Sequence, residues 1–181
     1  LGGYVDAAFV AVVEGDDTEK HMTYLFSGEQ YIRYTVEQDG NTPYRGDCYR
    51  YVDEGYPKII GESLAEDLGL DSLPEQYRDG IDAAFYLATD AQELGLVLFN
   101  ERNYHHVTDL QTDSAAGTEG DVNEVWGHLD NTFTSESGTQ TIDGAYVDAD
   151  DKLLVFKGQQ FVCYSDTEEL FALNPNDEPR Y

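Results

Sequence analysis

Thirty-seven acidic side chains, four histidines and two cysteines are the groups in this 181-residue sequence that could do acid–base, metal or nucleophilic chemistry. Their spacing matches no catalytic pattern. There is no Gly-x-Ser-x-Gly elbow, no His-Glu-x-x-His pair and no Gly-rich phosphate loop. Among so many acids some pair will fall at a glycosidase-like separation by chance, so such a pair carries no information. The sequence is therefore read as non-enzymatic, with no catalytic residue assigned. His105 and His106 are neighbours on an expected strand and point to opposite faces, so they cannot clamp one ligand. With no Cys-x-x-Cys-His, neither they nor His21 and His128 are assigned to haem. Asp148-Ala149-Asp150-Asp151 lacks the Gly and terminal Glu of an EF-hand loop and reads as a solvated hairpin turn; Asp16-Asp17 also precedes a second strand. Cys48 and Cys163 form no CxxC pair. Either they make one disulfide in an oxidising compartment or both are buried thiols.

A net charge of −27, from 37 acids against 10 Lys and Arg, limits the partners. No basic stripe exists to neutralise phosphates, so nucleic acid is excluded, and an anionic membrane would repel the chain. The charge itself admits three readings: solubility, adaptation to high salt, or attraction for cations and basic partners. Acidic disordered tails are poor in aromatics, whereas this chain has 14 Tyr and 8 Phe, so it is expected to fold. No apolar run is long enough to span a membrane. The start, Leu1-Gly2-Gly3-Tyr4, has neither an initiator Met nor the pattern of a signal peptide, and reads as a processed product or a piece of a longer polypeptide.

The elements that would position any site come from an internal repeat. Val5-Asp6-Ala7-Ala8-Phe9 is followed by Tyr24-Leu25-Phe26-Ser27-Gly28. Ile81-Asp82-Ala83-Ala84-Phe85 is followed by Val97-Leu98-Phe99-Asn100-Glu101. Ile142-Asp143-Gly144-Ala145-Tyr146 is followed by Leu154-Val155-Phe156-Lys157-Gly158. Five residues after each central Phe stands an aromatic (Tyr31, Tyr104, Phe161), and at eight a strand former (Tyr34, Val107, Tyr164). The frame is fixed and only the loop before the Phe varies.

Each unit reads as a short apolar strand followed by a hairpin, its arms alternating with period two. The predicted turns are Ser27-Gly28, Asn100-Glu101 and Lys157-Gly158. Tyr49, Tyr51 and Val52 suggest a fourth strand in the first unit. Gly55-Tyr56-Pro57 then breaks the sheet, and Ile59 to Leu68 reads as a helix, with Asn123 to Leu129, around Trp126, as its counterpart. In the third unit, Leu170-Phe171-Ala172-Leu173 could supply the outer strand. The class is all-β, in three units spanning 1–78, 79–139 and 140–181, and such small units must stack radially to bury their faces.

Asp-Ala-Ala-Phe, then Tyr-Leu-Phe-Ser-Gly-x-x-Tyr-x-x-Tyr, then Gly55-Tyr56-Pro57-Lys58-Ile59, resembles the hemopexin-like repeat of hemopexin, vitronectin, matrix metalloproteinase C-terminal domains and some seed albumins. The resemblance runs from Tyr4 to Tyr164. It implies a β-propeller with blades of four short strands and short connecting helices. The family usually has four blades; three are identified here and the fourth is not.

The resemblance also implies a central tunnel holding Ca2+ on backbone carbonyls. The metal ligands carried over by position are Asp6, Asp82 and Asp143, with Ala8, Ala84 and Ala145 at a second level. The competing reading is that the first strand needs small residues and a capping Asp. The functional expectation is a secreted, extracellular module that presents protein- or glycan-binding surfaces, its ligand unnamed. The alternatives are a structural subunit assembling as a homo-oligomer or filament through open edges, or a seed-albumin-like storage protein. One Met and two Cys are few for a nutritional store.

Overall fold

The computed structural model describes residues 3–14, 19–38, 51–89, 92–108, 110, 117–122, 142–148, 150, 152–157 and 160–164. They form three antiparallel sheets. The first is β1 (Ala7–Glu14), β2 (Glu19–Ser27), β3 (Gln30–Gln38) and β4 (Lys58–Ile59), in that order across the sheet. The second is β5 (Ala83–Thr89), β6 (Gln92–Asn100), β7 (Asn103–Val107) and β8 (Thr118–Asp121). The third is β9 (Gly144–Val147), β10 (Leu153–Lys157) and β11 (Gln160–Tyr164), with β10 in the middle.

The sheets stack because each has more apolar surface than it can cover alone. In β1, Ala7, Phe9 and Ala11 are buried while Ala8, Val10 and Val12 on the other face are exposed. In β5 both faces are buried, and in β6 the run Leu96-Val97-Leu98-Phe99 is wholly enclosed. The second sheet is therefore the middle layer. Ala84, Leu96 and Leu98 share one core with Phe9, Tyr24 and Phe26. Ala83, Phe85, Val97 and Phe99 share the other with Ile142, Leu153 and Val155. The first strands line up, β1 beside β5 and β5 beside β9. Small residues at Ala7, Ala83, Ala84 and Gly144 suit that close approach.

Between the first two sheets runs α1 (Ile60–Leu68), in agreement with the helix read from the sequence. Ile60, Leu64 and Leu68 fall four apart on its buried face. Gly69 ends it in the left-handed conformation (φ 71°), its N–H donating to the carbonyls of Ala65 and Glu66. A 3-10 turn, Glu75–Tyr77, then buries Tyr77 completely.

Two expectations are corrected. The fourth strand of the first sheet is Lys58–Ile59, directly after the Gly55-Tyr56-Pro57 break; Tyr51 and Val52 are not in a strand, and Tyr49 lies outside the described residues. The propeller is also not formed: the described residues make three separate sheets in a row, and no ring closes. The repeat encodes how one sheet meets the next, which stacks sheets without dictating closure. Asn123 to Leu129, Leu170 to Leu173 and Asp16-Asp17 lie outside the described residues.

Candidate functional site

The repeated Asp is a turn-closing device. Asp6 donates its N–H to the Phe26 carbonyl (2.9 Å), and its carboxylate accepts from the Gly28 N–H (2.7 Å). Asp82 repeats both bonds, to Phe99 (2.9 Å) and from Glu101 (2.6 Å). Asp143 donates to Phe156 (2.9 Å). Gly28 (φ 54°) and Glu101 (φ 51°) both take a left-handed conformation at the start of the hairpin loop. The carboxylate thus ties the first strand of each of these units to the strained turn joining the next two. Burial pushes the Asp82 carboxyl up; the Glu101 amide opposes this, and the charges of Glu101, Asp6 and Asp143 add to it.

Of the second-level positions, Ala84 is buried, Ala145 half-buried and Ala8 exposed. Among the described residues, no group of three or more His, Cys, Asp or Glu side chains is placed to hold a metal ion. The expectation of a metal-binding protein is corrected on that ground as regards side-chain ligands: the carboxylates of Asp6 and Asp82 accept hydrogen bonds from turn amides.

The densest polar cluster lies where sheet one meets α1, and the sequence did not point to it. Tyr31 and Tyr56 (2.6 Å) donate their hydroxyls to the Asp67 carboxylate, and Lys58 Nζ reaches its other oxygen at 2.6 Å. Beside it Arg33 pairs with Asp53 (2.6 Å), which also accepts from the Thr35 N–H (3.0 Å) and hydroxyl (2.6 Å). The Tyr56 ring sits between two cations, 5.2 Å from the Arg33 guanidinium and 4.8 Å from the Lys58 ammonium. Burial alone would raise the Asp67 carboxyl, but Lys58, Tyr31 and Tyr56 hold it below the ordinary carboxylate range. Burial raises the Tyr31 and Tyr56 hydroxyls, and Asp67 raises them further. Every charge here has its partner, so the cluster clamps α1 to the sheet. One signal was available: an acid in the last turn of a helix opposes the macrodipole and needs a local reason.

Other sequence candidates resolve separately. His105 is buried beside Tyr77 (ring centres 5.7 Å apart) and His106 is partly exposed, so they do face opposite ways. Burial lowers the His105 pKa, His106 adding to this and Glu119 opposing it. Asp148 forms the expected hairpin turn, its carboxylate accepting from the N–H groups of Asp150 (2.8 Å) and Lys152 (2.9 Å). Cys163 carries a free thiol and is partly buried, while Cys48 lies outside the described residues. No helix among the described residues is long and apolar enough to cross a membrane.

Among the described residues, the outer face of the third sheet exposes a group of aromatic side chains. Tyr146, Phe156 and Phe161 are 57%, 38% and 60% exposed, and the rings of Phe156 and Phe161 lie 6.1 Å apart. At the opposite end, Val10 and Val12 lie exposed on sheet one, with Tyr4 and Val5 just before it. An aromatic-rich face suits recognition by a macromolecule, and the Cys163 thiol shares it, two residues along β11 from Phe161.

No family model matches this sequence, and neither does any curated protein. Solved structures do resemble it. The seed albumin LS24 from Lathyrus sativus superposes with a TM-score of 0.58 at 18% identity, over 98% of this chain and 67% of its own. A plant albumin from Cicer arietinum showing hemagglutination gives 0.57 at 18% identity, over 95% of this chain and 67% of its own. The hemopexin-like assignment is corrected accordingly: the fold is similar to that of these two seed albumins, and the described residues form three separate antiparallel sheets. At 18% identity the likeness is one of fold.

Proposed function

We propose that this chain is a non-enzymatic, albumin-like storage protein, accumulated in an extracellular or storage compartment. The observation that carries the reading is the fold likeness to two seed albumins over nearly the whole chain. The acidic surface fits it: a net charge of −27 keeps a protein dispersed at high concentration. The test is abundance. Quantitative proteomics of the source tissue should find the chain among its major proteins, falling as reserves are mobilised. A trace amount that stays constant would remove the storage reading.

A second reading is surface recognition, favoured by the hemagglutination recorded for the Cicer arietinum albumin and by the exposed aromatics Tyr146 and Phe161. Agglutination needs at least two binding sites per particle. Erythrocytes mixed with the purified chain decide it: clumping that a free sugar reverses supports a glycan ligand, and dispersed cells across the full dilution series reject it.

A further inference from the structure

The repeat shows which surfaces were built to be covered. Phe9, Phe26 and Tyr31 of the first unit correspond to Phe85, Phe99 and Tyr104 of the second, and all six are at most 6% exposed. The third-unit equivalents are Tyr146, Phe156 and Phe161, the exposed face. The opposite face shows the converse. Ala84 and Leu98 of the second unit, with Val155 of the third, are fully buried. Their first-unit equivalents are Ala8, exposed, and Leu25, half-buried, beside the exposed Val10 and Val12.

Inside the chain one rule holds twice. The aromatic face of sheet one packs on the aliphatic face of sheet two, and the aromatic face of sheet two on the aliphatic face of sheet three. Among the described residues the row has an aromatic face at one end and an aliphatic face at the other. We propose that a second copy of this chain covers the Tyr146–Phe156–Phe161 face with the Ala8–Val10–Val12 face of its own first sheet, extending by one step the packing repeated within each copy. Each copy carries one face of each kind, so the contact is head-to-tail and can propagate. Neither face presents a charge at these positions, so repulsion acts from the rims, and salt that screens it favours assembly.

Two variants at exposed positions test this, Val10→Asp and Phe161→Asp. Sedimentation velocity is run across about 1–100 μM, the weaker range for interfaces of ordinary size, in about 0.5 M NaCl, where charges are screened beyond a few ångströms. The unmodified chain should form dimers or longer species that grow with concentration. Each variant alone should be monomeric, and a mixture should give a one-to-one dimer, through the aromatic face of the Val10 variant and the aliphatic face of the Phe161 variant. Circular dichroism confirms folding, and Val12→Thr with Phe161→Ser repeats the test if an Asp variant fails to fold. A wild-type chain that stays monomeric overturns the proposal, because its faces are then covered from within or not at all. A Val10→Asp chain that still dimerises also overturns it, by showing that the aromatic face pairs with itself. A mixture that stays monomeric does the same.

Discussion

At the scale of single residues, the repeated Asp and the turn it closes form one unit with opposing preferences. The Asp82 carboxylate gains a bond from the Glu101 amide, yet burial and like charge from Glu101, Asp6 and Asp143 push its pKa up. A raised pKa in the folded state means that the ionised group weakens the fold at neutral pH, and that this penalty disappears as pH falls through the carboxylate range. Asp82→Ala removes the acceptor and should cost about 1 kcal/mol in denaturant unfolding. Asp82→Asn keeps an acceptor without the charge, so it should cost less than Asp82→Ala at pH 7 and lose ground relative to wild type as pH falls toward the ordinary Asp pKa of about 4. Glu101 holds a φ of 51°, a conformation that costs a residue with a Cβ about 1–2 kcal/mol. Glu101→Gly should therefore raise stability by about 1 kcal/mol, read from the shift in urea midpoint; a fall would mean that the Glu101 side chain makes a contact worth more than the backbone strain. The Asp and the Gly of the turn were legible in the sequence as a fixed frame. Their bond was not, because it joins residues 22 apart in the first unit and 19 apart in the second.

At the scale of elements, strands and the helix were readable because their periods differ, two against three and a half. Ile60, Leu64 and Leu68 mark the buried stripe of α1 as plainly as Ala7, Phe9 and Ala11 mark that of β1. What failed was the edge of the first sheet. Lys58–Ile59 is only two residues long, too short for any periodic signal, whereas Tyr49, Tyr51 and Val52 had the composition of a strand. The Asp67 cluster escaped for a related reason: Tyr31, Tyr56 and Lys58 come together only once β3, β4 and α1 have packed. Asp67→Asn leaves Lys58 unpaired and weakens both tyrosine bonds, and should cost about 2 kcal/mol. The pH dependence has a definite sign. Because the folded-state pKa of Asp67 is lowered, its contribution is present above the ordinary carboxylate range and lost as pH falls through it. Wild type and Asp67→Asn should differ at pH 7 and converge as pH falls below the ordinary carboxylate range in parallel unfolding titrations. A gap that persists at low pH would mean that the cost is packing and not charge.

At the scale of the whole molecule, charge and apolar surface act against each other. Thirty-seven acids on a 20.3 kDa chain repel one another, and only ten Lys and Arg compensate them. Some of those ten are committed to local pairs, Arg33 with Asp53, Lys58 with Asp67 and Arg102 with Asp121. Added salt weakens both the repulsion and these pairs, so the sign of its effect shows which dominates. The pairs at Asp53 and Asp67 are partly sheltered from water and keep most of their attraction, whereas the excess acids are spread along the sequence and interact largely through solvent. Repulsion should therefore be the term that salt removes. The melting temperature of the monomer, taken at a concentration too low for assembly, should rise on the order of 5 °C between low salt and about 1 M NaCl, equivalent to about 1–2 kcal/mol for a domain of this size. A melting temperature that falls with salt would show that the local pairs carry more of the stability than the excess charge removes. Measured again at a concentration where copies meet, the rise should be larger, because screening then also lets the aromatic face of one copy reach the aliphatic face of the next. The difference between the two salt slopes separates the cost of folding an acidic chain from the cost of bringing two of them together.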